Sequence, residues 1–264
     1  MKQIPARRLA QWCWLAAAFA GCAPQQRPLR VLYVESAPRW EYRSLSSALI
    51  RDESLEVHCF LLSADPELPQ AHSQSAGDPR FQAPLKSLPS TLEQLLDYDV
   101  VILGDVGPDS LPEGTAEMLR SFVTEHGRGV LIVAGEAAMP GGWKGTDLEQ
   151  ILPVESETVR QELAPEETYF RTAEGKDSGL VEFADELPPI QSVLATRAKA
   201  EARTLAEAGP ADRRVPLFVT MSAGRGLVFF SATDETWRWR FQTGDGPYFY
   251  PFWRRVIESA GRRD

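Results

Sequence analysis

Cysteine and histidine are scarce, three of each in 264 residues. Cys13 and Cys22 fall near the amino terminus, which leaves Cys59 without a disulfide partner in the body of the chain. Cys59 lies in the apolar run 57–62 and reads as a buried core thiol, not a nucleophile. His58, His72 and His126 are scattered, and no HxH, HExxH or CxxC spacing occurs, so no zinc site is expected. Carboxylate-only calcium or magnesium binding stays open at this level. GxGxxG after the first strand and GxxxxGK[ST] are both absent, so no dinucleotide or P-loop cofactor is expected. Positive charge is in deficit: 28 basic side chains face 37 acidic ones, a net charge of −9. Such a chain is a poor partner for nucleic acid or an anionic lipid surface. No internal repeat and no second long hydrophobic segment is visible.

What is present is led by the stretch 129–140. An apolar β run ends at Gly135 and turns through Glu136, Ala137, Ala138, Met139 and Pro140. In an α/β sheet, the carboxyl end of such a strand is where ligands and nucleophiles sit. A nucleophile elbow would carry Cys or Ser at about the second position after the glycine. Ala137 stands there, so the elbow position has no nucleophile.

At the amino terminus, Lys2, Arg7 and Arg8 precede the apolar residues 9–21 and Cys22. That is the form of an export signal and is too short to span a bilayer. Phe19-Ala20-Gly21-Cys22 resembles a bacterial lipobox. The resemblance implies a signal peptide over 1–21, lipidation at Cys22, a tether over 22–28 and an anchor in the membrane through that lipid. It also implies an exported, cell-envelope lipoprotein on the periplasmic face, with Ala23 and Pro24 pointing to the outer membrane.

From residue 29 the pattern alternates. Strands are expected at 29–34, 56–62, 100–103 and 130–134, and helices at 42–51, 91–96 and 113–125. Ser90-x-x-Glu93, Ser110-x-x-Glu113 and Thr146-x-x-Glu149 read as capping boxes. The long, proline-rich connection 63–90 is a candidate lid or binding loop. This βα alternation predicts an α/β fold with a doubly wound, mostly parallel sheet. Over 154–214 the pattern loosens into an antiparallel edge excursion, an insertion with strands at 154–160, 167–172 and 200–206 and a helix at 177–183. A hairpin at 216–232, a turn at 244–247 and a helix at 248–259 close a single domain spanning 29–259.

The loops after the strands gather Arg39, Trp40 and Glu41, Asp105, Glu136, and Asp234, Trp237 and Arg240. In this topology they converge on one rim, a candidate site for a polar ligand or a glycan. The competing expectation is that Arg39, Arg238 and Arg240 pair with Asp105, Asp234 and Glu235 and simply hold the loops together.

Three segments taken together, 31–43, 98–106 and 232–240, are similar to the class I glutamine amidotransferase-like domain of bacterial exported and membrane-anchored proteins. The resemblance covers about residues 29–258. It implies a flavodoxin-like, class I glutamine amidotransferase-like fold, and in active members a Cys on the elbow with a His-x-Glu pair after a late strand. Ala137 occupies the elbow, and Ser231-Ala232-Thr233-Asp234 contains no histidine. The expectation is therefore a non-catalytic module that binds envelope proteins or a small polar ligand. The alternative is a hydrolase-type enzyme acting on a carbohydrate with its rim carboxylates.

Overall fold

The computed structural model describes residues 27–74, 77–181, 187–242 and 248–261. The expected signal peptide, Cys22, the turn at 244–247 and the end of the helix expected at 177–183 lie outside them.

Five strands run parallel. They are β1 (Leu29–Glu35), β2 (Leu55–Leu61), β3 (Val100–Leu103), β4 (Gly129–Val133) and β10 (Gly226–Ser231). The sheet continues antiparallel through β9 (Val215–Ala223), β8 (Arg203–Ala208) and the short β6 (Phe170–Arg171). The eight strands lie in the order β2-β1-β3-β4-β10-β9-β8-β6, so the fold is α/β with a large, mostly parallel sheet and an antiparallel edge. Every residue of β3 and β4 is buried, so both faces of the central sheet are covered. The excursion also contributes a separate ribbon, β5 (Val159–Glu162) with β7 (Ser192–Ala195), and β7 carries no sequence signal that predicts it. The short helix of this region is α5 (Ala173–Ser178), several residues before the expected position.

The helices follow from local chemistry. α1 (Trp40–Leu49) and α3 (Thr115–Thr124) bury Leu45 and Leu49, and Leu119, Phe122 and Val123. α2 (Leu92–Leu95) is capped by Thr91, whose hydroxyl accepts the Gln94 N–H, while Gln94 reaches back to the Ser90 N–H. The cap is therefore Thr91, one residue beyond the expected Ser90, and Gln94, not Glu93, reaches back towards it. α3 starts after Gly114 with no side-chain cap, and α4 (Asp147–Ile151) starts after Thr146, whose hydroxyl donates to Trp143 O instead of capping. α6 (Arg238–Gln242) and α7 (Phe249–Gly261) close the chain. Trp239 and Trp253 sink into an aromatic cluster with Phe218, Phe229 and Phe252 at ring separations of 4.9–6.1 Å. Trp239 thus packs beside the closing helix.

The long connection after β2 is not a lid in its described parts. Cys59 N donates to Ala71 O and Ser73 N to Val57 O, so the loop pairs with the outer edge of β2. Phe81 stacks on His58 at 4.6 Å. The chain covers an edge strand that would otherwise present unpaired backbone groups. Cys59 is buried, and burial pushes its thiol up to about 12, consistent with an inert core residue.

Candidate functional site

The carboxyl ends of β1, β3, β4 and β10 meet β7 around a cleft of about 250 Å³. Arg39, Asp105, Glu136, Ala137, Arg160 and Asp234 line it, with residues 192–194 and 232–233. The rim expected from the sequence exists, but most of its charged groups face one another.

Glu35, the last residue of β1, is fully buried at the floor. Its Oε1 accepts the N–H groups of Ser36 and Asp105, each at 3.0 Å, and its Oε2 accepts from Arg39 Nη2 at 2.9 Å. Burial raises its carboxyl above the ordinary range, with Arg39 pulling the other way. Arg39 ties this floor to the walls. Its Nε and Nη2 serve Glu35, Nη1 donates to Ala134 O and Asp234 Oδ2 at 2.9 Å each, and Nη2 also donates to Val133 O at 3.3 Å. A guanidinium has five N–H donors, and these contacts use all of them. Arg39 is a structural knot with no donor left for a ligand.

Asp105 closes the elbow. Its Oδ2 accepts Ala137 N–H at 2.8 Å, and its Oδ1 accepts Ala138 and Met139 N–H at 2.7 and 2.8 Å. Two glycines make room for these carboxylates. A Cβ on Gly104 would lie 2.1 Å from Glu35 Oε2, and one on Gly135 would lie 2.3 Å from the Asp105 carboxyl carbon. Gly135, just beyond β4, therefore makes room for a buried acid from the loop after β3.

Glu41 leaves the rim altogether, against expectation. It is fully buried, accepting the Thr236 hydroxyl at 2.5 Å and the Trp237 N–H at 3.0 Å. Trp253 Nε1 donates to the same hydroxyl at 2.8 Å, so one polar chain joins α1, the loop after β10 and α7. Burial pushes the Glu41 carboxyl up from 4.5 to about 7. A raised folded-state value means stability fully present below pH 4.5 and lost as pH rises towards 7, by about 3 kcal/mol for this group. In Glu41→Gln the amide oxygen can take the Trp237 N–H while the NH₂ donates to Thr236. Urea denaturation from pH 4 to 8 should then show a wild-type-minus-variant difference that changes by about that amount across the window. A flat difference would contradict the assignment.

The remaining expectations divide. Glu136 pairs with Arg160, a residue the sequence pattern does not single out because its segment has no clear period. Asp234 pairs with Arg39, and Glu235 pairs with Arg238 while accepting Gln191 N–H and the Ser192 hydroxyl. Arg240 has no carboxylate partner among the described residues. Trp40, Trp237 and Arg240 are not among the residues that line the cleft. Glu35 is the other participant that sequence reasoning passes over, although an acid ending an otherwise apolar strand is a legible signal. Among the described residues, no group of three His, Cys, Asp or Glu side chains is placed to hold a metal ion.

No family model matches this chain, and no curated protein matches it. Solved structures do. Cytoplasmic protein STM1381 from Salmonella typhimurium LT2 superposes with a TM-score of 0.65 at 19% identity, over 89% of this chain and 100% of that one. Cytoplasmic protein STM3548 from Salmonella typhimurium gives 0.62 at 15% identity, over 89% and 100%. A β-galactosidase from Rahnella sp. R3 gives 0.49 at 14% identity, with 88% of this chain on 31% of that enzyme. Likeness at these identities concerns the fold. The two whole-length neighbours are described as cytoplasmic proteins, which overturns the expectation of an exported, lipid-anchored envelope protein, and that expectation is withdrawn.

Proposed function

We propose that this chain is a non-catalytic class I glutamine amidotransferase-like module, wound in the flavodoxin-like manner, that binds a small polar ligand in the strand-end cleft. One observation carries the reading: the Asp105 carboxylate holds three consecutive elbow N–H groups. Acyl transfer at an elbow needs a nucleophile and, on the residue after it, an N–H free to receive the oxyanion. Ala137 offers a methyl group, and the Ala138 N–H lies 2.7 Å from Asp105 Oδ1. An oxyanion forming there would meet a carboxylate.

The same cleft suits binding. Glu136 and Asp234 offer acceptors, Arg160 offers donors, and Val193 and Leu194 supply an apolar wall. The alternative, a hydrolase acting on a carbohydrate, needs a carboxyl group free to exchange a proton with substrate. Asp105, Glu136 and Asp234 each hold an arginine or backbone amides instead, which favours binding.

A thermal-shift screen of the full chain against glutamine, monosaccharides, nucleotides and divalent ions tests the reading. A ligand at about 100 times its Kd adds about 2.7 kcal/mol of stability. The expected result is a clear rise with one polar ligand, lost in Asp234→Ala, with the ligand recovered unchanged. Consumption of the ligand would establish the hydrolase instead, and the absence of any shift would remove the cleft as a small-molecule site.

A further inference from the structure

Beside the cleft lies a surface that neither the core nor the elbow explains. Trp40 is 60% exposed and Phe241 62% exposed, with the half-buried Trp237 between them. Trp237 lies 5.6 Å from Trp40 and 5.9 Å from Phe241 by ring centroid. Arginines stand over all three rings: Arg43 over Trp40 at 5.6 Å, Arg238 over Trp237 at 4.7 Å and Arg240 over Phe241 at 5.8 Å.

Among the described residues, the nearby acids are spent elsewhere. Glu41 is buried under Thr236 and Trp237, Asp234 is held by Arg39, and Glu235 by Arg238. Arg43 uses its Nε on Pro38 O, and its remaining donors and the Arg240 guanidinium have no carboxylate among the described residues. The result is an apolar, locally cationic island on a chain of net charge −9. Exposed Trp with Arg is the composition of interface hot spots, and contiguous exposed aromatics mark interaction sites.

We propose that this face docks an acidic segment of a partner protein, its apolar side chain seated on Trp40 and Phe241 and its carboxylates on Arg43 and Arg240. Charge complementarity selects this occupant. A long polyanion or an anionic membrane would extend past the island onto the acidic remainder of the surface. A twofold contact between copies would set arginine against arginine. The surface lies outside the cleft lining, so the proposal stands apart from the small-ligand reading.

A phage-displayed library of random dodecapeptides, selected on the immobilised full chain, tests it. Selected peptides should be enriched in Asp and Glu around an aromatic or leucine. A synthesised peptide from that set should lose about tenfold or more in affinity with Trp40→Ala and with Arg240→Glu, and should weaken as salt rises. Trp40 is exposed and Arg240 partly exposed, and an unchanged thermal midpoint will show that each variant folds. Selection without acidic enrichment, or equal binding by both variants, would overturn the proposal. So would a dimer in sedimentation that Trp40→Ala dissolves, because the occupant would then be a second copy.

Discussion

Arg39→Ala should cost about 3–5 kcal/mol, enough to lower the thermal midpoint by about 10 °C in a domain of this size. The loss is large because Glu35 is completely buried and would be left with only Ser36, through its N–H and hydroxyl, and the Asp105 N–H as partners. Losing the guanidinium also releases Ala134 O, Val133 O and Asp234, which unpins the elbow from β1 and from the loop after β10. The compensating variant separates charge from packing. Adding Glu35→Gln removes the stranded charge while its amide oxygen still accepts the two backbone N–H groups. The double variant should recover a substantial part of the loss in chemical denaturation. If Arg39→Ala falls within about 0.5 kcal/mol of wild type, the size of an ordinary surface substitution, the knot is not what holds the rim.

Asp105→Ala should be comparably damaging, at about 4 kcal/mol, because it strands the N–H groups of Ala137, Ala138 and Met139 together. Hydrogen bonds to a charged acceptor are the stronger kind, and three on one carboxylate fail as a unit. Asp105→Asn should cost less, about 2 kcal/mol, because its amide oxygen can keep the two bonds now made by Oδ1 and only the Ala137 N–H meets a competing donor. Both variants should lose the ligand-induced thermal shift, since the wall formed by residues 135–137 moves. Normal ligand response in Asp105→Ala would separate the elbow from the binding site.

The parallel half of the fold is legible because its strands are continuous apolar runs. β3 and β4 have no exposed side chain, so neither polar alternation nor charge interrupts the pattern. The edge is harder to read. β5 reads Val-Arg-Gln-Glu and is mostly exposed, and β7 is four residues long, so pairing and not sequence period makes them strands. The candidate site was legible as a place, and the competing expectation of loop-holding ion pairs fits Arg39 with Asp234 and Arg238 with Glu235. Arg39, Asp105, Glu136 and Asp234 do converge, but a linear sequence cannot show that Arg39 spends all five donors or that Asp105 turns towards the elbow. Glu41 illustrates the same limit. One turn of helix separates a rim position from a buried one, and Thr236 and Trp237, about 195 residues away, decide which. Arg160 is found only in three dimensions, because the β5–β7 ribbon brings it to Glu136.

Amide hydrogen exchange at Ala137, Ala138 and Met139, followed by NMR on the full chain, is the most direct test of the central claim that a carboxylate already occupies the elbow. Slow exchange is expected at all three amides, rising by about 100-fold or more in Asp105→Ala. Exchange in the wild-type protein at the rate of an open loop would contradict it, and would return the elbow to the status of a free oxyanion site.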